Sequence, residues 1–123
     1  MKTVATENAP KAIGPYSQAI EVNGFVFASG QIPINPAAGK IEATTIEEQA
    51  EQACKNVKAI MEAAGTSMDK VVKTTCLLAD IKDFAAFNKV YEKYFVSKPA
   101  RSCFAVKDIP AGALVEIEAI AEK

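Results

Sequence analysis

Residues Thr45–Ala79, TIEEQAEQACKNVKAIMEAAGTSMDKVVKTTCLLA, join an amphipathic helix to a strand and decide the fold class. Thr45 and Glu48 have the spacing of a capping box, which satisfies free backbone N–H groups at the start of a helix. Gly65 is placed to end that helix in the left-handed conformation. The helix carries one apolar stripe at intervals of three and four residues: Ile46, Ala50, Ala53, Val57, Ile60 and Ala64. Further along this stretch, residues 70–79, KVVKTTCLLA, carry apolar side chains on both alternating faces and predict a strand.

The segment before this stretch predicts a β-hairpin and then a loop. Asn23-Gly24 separates SQAIEV from FVFASG, and both turn residues tolerate the positive φ that a two-residue hairpin requires. The residues QIPINPAAGK contain two prolines and a glycine, which indicates a loop. A short strand before the hairpin is compatible with this order.

The segment after this stretch predicts a second helix and two more strands. Asp83 is a candidate N-cap, and the helix has an aromatic side: Phe84, Phe87, Val90, Tyr91 and Tyr94. Pro99 prevents the helix from continuing, and the residues after it, ARSCFAV, predict a strand. The segment KDIPAG predicts a turn that connects this strand to the last one, ALVEIEAIA. The chain is thus predicted to be one α+β domain, residues 1–123, with two helices on one sheet. Because two helices cover only one sheet face, we expect another subunit to cover the second, partly apolar face.

The composition argues against several classes of function, among them nucleic-acid binding and catalysis by a histidine-activated nucleophile. The 123 residues include 14 Lys and Arg, 15 Asp and Glu and no histidine, for a net charge of −1. Interspersed charges without a basic patch do not favour nucleic acid or membrane as a partner. Without histidine there is no Ser-His-Asp or Cys-His nucleophile. Three widely spaced cysteines and no apolar leader or span point to a reducing cytoplasm.

Arg101 is the first residue that suggests chemistry. Alternation places it with Cys103 on one face of its strand, and the last strand, read as its hairpin neighbour, carries Glu116 and Glu118 on one face. Two interpretations stay open. The first is an exposed cross-strand Arg–Glu pair of small energetic value. The second is an anion site, in which the guanidinium binds a carboxylate and a nearby Glu acts as a base.

The remaining candidates also have two interpretations each. Arg101 would lower the pKa of the Cys103 thiol if that cysteine were a nucleophile, but a strand cysteine is more often a packing residue, as we expect of Cys54 and Cys76. GPYSQA and ASGQIP contain turn glycines at which a backbone can approach a ligand. Tyr16 either stacks on such a ligand or closes over the core.

Six motifs together resemble the RidA (YjgF) family of reactive-intermediate deaminases over essentially the whole chain: AIGPYSQAI, FVFASGQIP, QACKNVKAIMEAAG, DFAAFNKVYEKYF, PARSCFAV and LVEIEAIA. The resemblance implies a chorismate-mutase-like fold, a mostly antiparallel mixed sheet with two helices on one face. It also implies a homotrimer with sites between subunits. The implied reaction hydrolyses 2-imino acids, such as 2-iminopropanoate (from 2-aminoacrylate) and 2-iminobutanoate, to 2-keto acids and ammonia. Pyridoxal-phosphate dehydratases supply these substrates, and the deaminase needs no cofactor.

The resemblance also implies roles for individual residues. Arg101 would hold the substrate carboxylate, the backbone N–H of Cys103 would make a second contact to it, and Glu116 rather than Glu118 would activate water. The positions that line the family's cleft correspond to Tyr16, Ser29, Gly30 and Asn88. An alternative function is a non-catalytic module that binds a small carboxylate, such as a keto acid, in the same cleft.

Overall fold

Six strands form one sheet, and two helices cover one of its faces. The computed structural model describes all 123 residues. The main sheet has the order β1-β2-β3-β8-β6-β7, and only the β6–β7 pair is parallel. Its strands are β1 (Lys2–Val4), β2 (Ala19–Val22), β3 (Phe25–Gln31), β6 (Val71–Leu78), β7 (Ala100–Ala105) and β8 (Val115–Glu122). The helices are α1 (Ile46–Ala63) and α2 (Phe84–Tyr94), and a separate small sheet consists of β4 (Ile34–Asn35) and β5 (Lys40–Ile41). The predicted α+β class is confirmed.

The C-terminal end of α1 follows the sequence prediction, whereas the N-terminal capping box forms in part, because the Glu48 carboxylate bonds the Thr45 hydroxyl rather than the Thr45 N–H. The Thr45 hydroxyl oxygen accepts a hydrogen bond from the Glu48 N–H (3.2 Å) and its hydroxyl donates to the Glu48 carboxylate (2.9 Å). Gly65 has φ +82°, and its N–H donates to the Glu62 carbonyl while the Thr66 N–H donates to that of Met61, both at 3.0 Å. Two bonds of this kind form a Schellman motif, which satisfies the last carbonyls of the helix.

The Asn23-Gly24 turn is also confirmed, with φ values of +50° and +81° that fit a two-residue hairpin between β2 and β3. The predicted loop QIPINPAAGK differs from the structure, because it contains a small hairpin in which β4 pairs with β5. A turn over Asn35–Gly39, in which Gly39 has φ +72°, allows the chain to reverse there.

Helix α2 begins where the aromatic pattern predicted, but its cap differs. Asp83 occupies the N-cap position without a side-chain cap, and Asp80 instead caps the preceding 3₁₀ turn, Ile81–Asp83, by accepting from the Lys82 N–H at 2.9 Å. Phe87, Val90 and Tyr91 are buried as predicted.

The position of β7 corrects the sequence prediction. The two strands joined by KDIPAG are not neighbours, because β6 lies between β7 and β8 and pairs with both. The parallel β6–β7 pair is connected by α2 in a βαβ crossover, the connection that parallel strands require. Because β6 pairs with both β7 and β8, it occupies an interior position of the sheet, and β7 is an edge strand.

The core lies between the helices and one face of the sheet, where Val115, Ile117 and Cys76 are fully buried. The opposite face has no covering layer, and the side chains of Phe25, Phe27 and Phe104 on it are 41%, 43% and 47% exposed. The sequence predicted that the two helices leave one partly apolar sheet face uncovered, and the structure of the single chain has such a face. Neither helix has the length and apolar character needed to cross a membrane.

Candidate active site

Arg101 lies on the edge strand β7 and is held by neutral groups only. Its Nη1 donates to the Asn88 Oδ1 at 2.8 Å, and its Cζ lies 4.8 Å from the ring centre of Tyr91 and 5.4 Å from that of Phe84. The two ion pairs in the chain, Lys93–Glu51 and Lys123–Glu21, do not involve it. The positive charge of Arg101 is therefore not neutralised within the chain, and it remains available to an anion.

Helix α2 provides all three of these contacts from one face. Phe84, Asn88 and Tyr91 are spaced by four and three residues, so they lie on the same side of the helix. The family resemblance implies that Asn88 is a cleft residue, whereas the sequence pattern places Phe84 and Tyr91 only on the apolar side of the helix. The spacing with Asn88 was the available signal, but it does not reveal which strand residue the face contacts.

Cys103 presents a half-buried thiol and a backbone N–H at the edge of the sheet. Burial raises the pKa of the Cys103 thiol, and the nearby Arg101 lowers it less than burial raises it. This direction favours the interpretation of Cys103 as a packing residue over that of a thiolate nucleophile. The Val106 N–H donates to the Leu78 carbonyl of β6 at 2.9 Å. Because alternate amides of an edge strand point to the same side, the Cys103 N–H points away from β6 toward the open edge.

Cys54 and Cys76 are fully buried packing residues, as predicted. Burial raises the pKa of the Cys76 thiol to about 12.

Glu116 lies on β8, half-buried and directly against Gly30. A Cβ atom on Gly30 would lie 2.0 Å from the Glu116 Oε2, so only glycine leaves room for the carboxylate in this position. Burial, and then the charge of Glu118, raise the pKa of Glu116 above its ordinary value. Glu118 is exposed. These differences distinguish the two carboxylates, which the sequence pattern alone could not do.

Ser29 and Gly30 lie where the β3–β8 register shifts between Ala28 and Gln31. Such an irregularity reorients the strand locally and is common beside functional sites. The Ser29 hydroxyl donates to the Ser17 carbonyl at 2.6 Å, which ties this part of β3 to the segment that carries Tyr16.

Tyr16 itself is 50% exposed and lies outside the hydrophobic core, so the reading of it as a residue that closes over the core is wrong. Its hydroxyl accepts from the Ile13 N–H at 3.4 Å, which folds the segment back on itself.

The candidate residues form two groups, and their charged members, Arg101 and Glu116, lie on opposite faces of the sheet. The first, here called the Arg101 half-site, comprises Arg101, Asn88 and the Cys103 N–H on the helix side and at the open edge. The second, the Glu116 half-site, comprises Glu116 with Gly30 against it, Ser29 next to Gly30, and Tyr16 in the segment that Ser29 bonds; Glu116 is on the uncovered face because its neighbours Val115 and Ile117 are buried under the helices. The predicted Arg–Glu cross-strand pair is therefore wrong, since β6 and the sheet itself separate the two side chains. The chain contains no group of three His, Cys, Asp or Glu side chains placed to hold a metal ion.

Known proteins similar to this chain over its whole length belong to one family. The family model described as Endoribonuclease L-PSP matches residues 6–123. The chain is 51% identical to a protein named putative regulator AldR from Lactococcus lactis, over 99% of this chain and 98% of the relative. It is 48% identical to the 2-iminobutanoate/2-iminopropanoate deaminase of Escherichia coli K12, over 98% of this chain and 96% of the relative.

Solved structures agree with the fold. The crystal structure of the YjgF gene product from E. coli has a TM-score of 0.95 and 46% identity, and covers 100% of this chain and 99% of that chain. The crystal structure of E. coli TdcF with bound serine has a TM-score of 0.95 and 42% identity over the same shares. From its sequence, its fold and these whole-length matches, the chain belongs to the Endoribonuclease L-PSP family, the YjgF/RidA family that its motifs resemble.

Proposed function

We propose that the protein is a deaminase that hydrolyses 2-imino acids, such as 2-iminopropanoate and 2-iminobutanoate, to 2-keto acids and ammonia. The observation that carries this proposal is an unneutralised guanidinium, Arg101, in a chain that is 48% identical to an enzyme named for this reaction. The half-buried Glu116, with its raised pKa, supplies the base that the reaction needs.

The two half-sites require more than one copy of the chain. Within one chain their charged members lie on opposite sheet faces, so neither a rotamer change nor a loop movement joins them. The uncovered face exposes Phe27 and Phe104 by 43% and 47%, which is the kind of surface that a second copy covers. We therefore place the complete site between copies of a homotrimer, with the Arg101 half-site of one copy facing the Glu116 half-site of the next.

Binding of the substrate carboxylate is the task of the Arg101 half-site. The guanidinium donates two parallel hydrogen bonds to a carboxylate, a geometry that fixes orientation as well as affinity. The outward Cys103 N–H donates a third. A 2-imino acid held in this way has its C=N carbon at a fixed distance from the clamp, which reduces the entropic cost of attack by water.

Hydrolysis of the held imine is the task of Glu116. Its carboxylate removes a proton from water as the water oxygen bonds to the C=N carbon, and the π electrons pass to nitrogen. Transfer of that proton to nitrogen gives the neutral carbinolamine. A second proton then passes from the carbinolamine hydroxyl to the amino nitrogen, with the Glu116 carboxylate as the relay, and the C–N bond breaks as the C=O bond forms. One imine and one water thus give one keto acid and one ammonia. No step calls for a cofactor.

The experiment couples the protein to a pyridoxal-phosphate dehydratase that generates the imine from serine or threonine, the class of reaction that we propose supplies the substrate. Keto-acid formation is followed with and without semicarbazide, which traps free imine. We expect the protein to accelerate keto-acid formation, and Arg101→Ala and Glu116→Gln to abolish the acceleration. Glu116→Gln is expected to bind 2-oxobutanoate as well as wild type, whereas Arg101→Ala is not. Equal loss of binding in both variants would contradict the assigned roles.

A non-catalytic module that binds small carboxylates is the second candidate. The regulator name of the L. lactis relative and the serine bound to E. coli TdcF favour it. It predicts binding of 2-oxobutanoate without acceleration of imine hydrolysis. We propose neither nucleic acid nor membrane as a partner, because the net charge of −1 supplies no basic patch. We propose a cytoplasmic location, since all three cysteines are free.

A further inference from the structure

The surroundings of Arg101 contain more than is needed to tether one side chain. Asn88 accepts one hydrogen bond from the guanidinium, yet the same face of α2 also places two aromatic rings within 5.4 Å of its Cζ. The nearer ring, that of Tyr91, is at 4.8 Å. Tyr91 is buried, whereas Phe84 is 37% exposed. Tyr91 therefore forms the inner wall against which the guanidinium lies.

The Tyr91 ring is fixed in place from three sides. Its hydroxyl and the Thr74 hydroxyl are 2.6 Å apart in the protein interior. Its ring stacks on that of Phe95, with centroids 4.3 Å apart and planes 19° apart, and it packs on Phe87 with centroids 5.5 Å apart. Thr74 is the residue of β6 that pairs with Arg101 of β7. The hydroxyl contact thus anchors the ring to the strand position directly beside Arg101.

A ring in this position affects both the charge and the freedom of the guanidinium. A cation over an aromatic face is attracted by the ring quadrupole, and the ring is neutral, so the attraction does not use the charge that a carboxylate needs. A free arginine side chain also loses about 2 kcal/mol of rotamer entropy when it is fixed. An arginine that is already held over a ring loses less of this entropy when a ligand binds.

We propose that Tyr91, anchored through Thr74, is a positioning residue that holds the Arg101 guanidinium in the orientation that receives the substrate carboxylate. The identity of the ligand rests on the proposed function, but the geometry of the contact does not. Removal of the Tyr91 ring leaves the guanidinium and its bond to Asn88 in place, and the substrate carboxylate itself does not change in the reaction, so the loss falls about equally on the ground state and the transition state. The contribution of Tyr91 therefore falls on binding and KM and leaves kcat nearly unchanged.

The central test compares Tyr91→Leu with Phe87→Leu. Both remove a buried aromatic ring of α2 from the same cluster, but Phe87 does not contact the guanidinium. We expect Tyr91→Leu to weaken binding of 2-oxobutanoate, measured by calorimetry, about 10-fold, with a matching rise in KM and a change in kcat below about 3-fold. Phe87→Leu is expected to lower the melting temperature similarly and to leave Kd and KM near wild-type values. Equal effects of the two variants on Kd would overturn the proposal.

The anchor is tested with Tyr91→Phe, Thr74→Val and the double variant. Each single variant keeps the ring but leaves one buried hydroxyl without its partner, whereas the double variant removes both hydroxyls. We expect about 2- to 3-fold weaker binding in each variant, without further loss in the double variant, because the two hydroxyls act through one contact. Fully additive losses would mean that the Thr74 contact does not anchor the ring.

A measurement without ligand separates this proposal from the proposed function. In selectively labelled protein, the Tyr91 ring current is expected to shift the Arg101 side-chain proton signals, a shift lost in Tyr91→Leu and kept in Phe87→Leu. If the wild type binds 2-oxobutanoate but does not accelerate imine hydrolysis, the deaminase assignment fails while the Kd comparison still decides the role of Tyr91. If the wild type hydrolyses imines and Tyr91→Leu keeps both Kd and the shift, the role of Tyr91 fails alone. Absence of carboxylate binding by wild type would overturn the proposal.

Discussion

Gly30 is the residue that decides where the Glu116 carboxylate lies. In Gly30→Ala the new Cβ would lie 2.0 Å from the Glu116 Oε2, so the carboxylate has to move. The atom that moves is the end of a flexible side chain, so we expect little loss of stability. A displacement of about 1 Å in a catalytic group costs about 100-fold in rate. The prediction is therefore a kcat about 100-fold lower with wild-type affinity for 2-oxobutanoate, measured by steady-state kinetics and calorimetry. A kcat near the wild-type value would contradict the placement of Glu116.

The charge of Glu118 is expected to add to the effect of burial on the pH dependence of Glu116. Burial and Glu118 both raise the pKa of Glu116, and a general base is active only when deprotonated. The rate therefore falls as the pH drops through this raised pKa. Glu118→Gln removes a negative charge and lowers the pKa of Glu116, so the acid limb of kcat/KM should move to lower pH by about half a unit. Glu122→Gln, on the same face but four residues further along β8, is the matched control. An unmoved limb in Glu118→Gln would exclude Glu116 as the titrating base.

For helices and strands, signals between residues close in sequence predicted the helices and the turns. The order of strands in the sheet depends on pairing between distant segments and was not predicted. The C-terminal cap of α1 and the Asn23-Gly24 turn depend on residues a few positions apart, and the structure confirms them. The partner of β7 is β6, which α2 separates from it along the chain. Local sequence does not show such a long-range pairing, and the KDIPAG turn between β7 and β8 indicated a hairpin instead. The sequence therefore predicted which residues share a face of each strand, Arg101 with Cys103 and Glu116 with Glu118, but not that β6 separates the two strands. The roles of Arg101 and Glu116 stay predictions.

The N-terminus of α1 offers a test of stability that is separate from the site. Thr45→Ala removes the side chain that accepts from the Glu48 N–H at 3.2 Å. Loss of such a cap costs about 1 kcal/mol in the free energy of unfolding. Thr44→Ala, at an exposed neighbouring position, is the control and should change this free energy by less than about 0.5 kcal/mol. Denaturant titration measures both, and kcat/KM should stay at the wild-type value in each. Equal stabilities would mean that the cap contributes nothing.

At the scale of the whole molecule, the fold leaves two features incomplete in a single chain. One sheet face exposes Phe25, Phe27 and Phe104, and the residues suited to carboxylate binding and to base catalysis lie on opposite sides of that sheet. A symmetric assembly resolves both at once, because the same contact between copies covers apolar surface and brings unlike half-sites together. The central claim is therefore that Arg101 and Glu116 of one working site belong to different copies of the chain.

Complementation between two inactive variants tests this claim most directly. Arg101→Ala and Glu116→Gln chains carrying different tags are refolded together in equal amounts, and mixed assemblies are verified by mass. If each site takes Arg101 from one copy and Glu116 from the next, random mixing leaves both residues intact in about a quarter of the sites. We expect recovery of about a quarter of the wild-type rate of imine hydrolysis. Mixed assemblies that remain as inactive as either variant alone would show that both residues come from one chain.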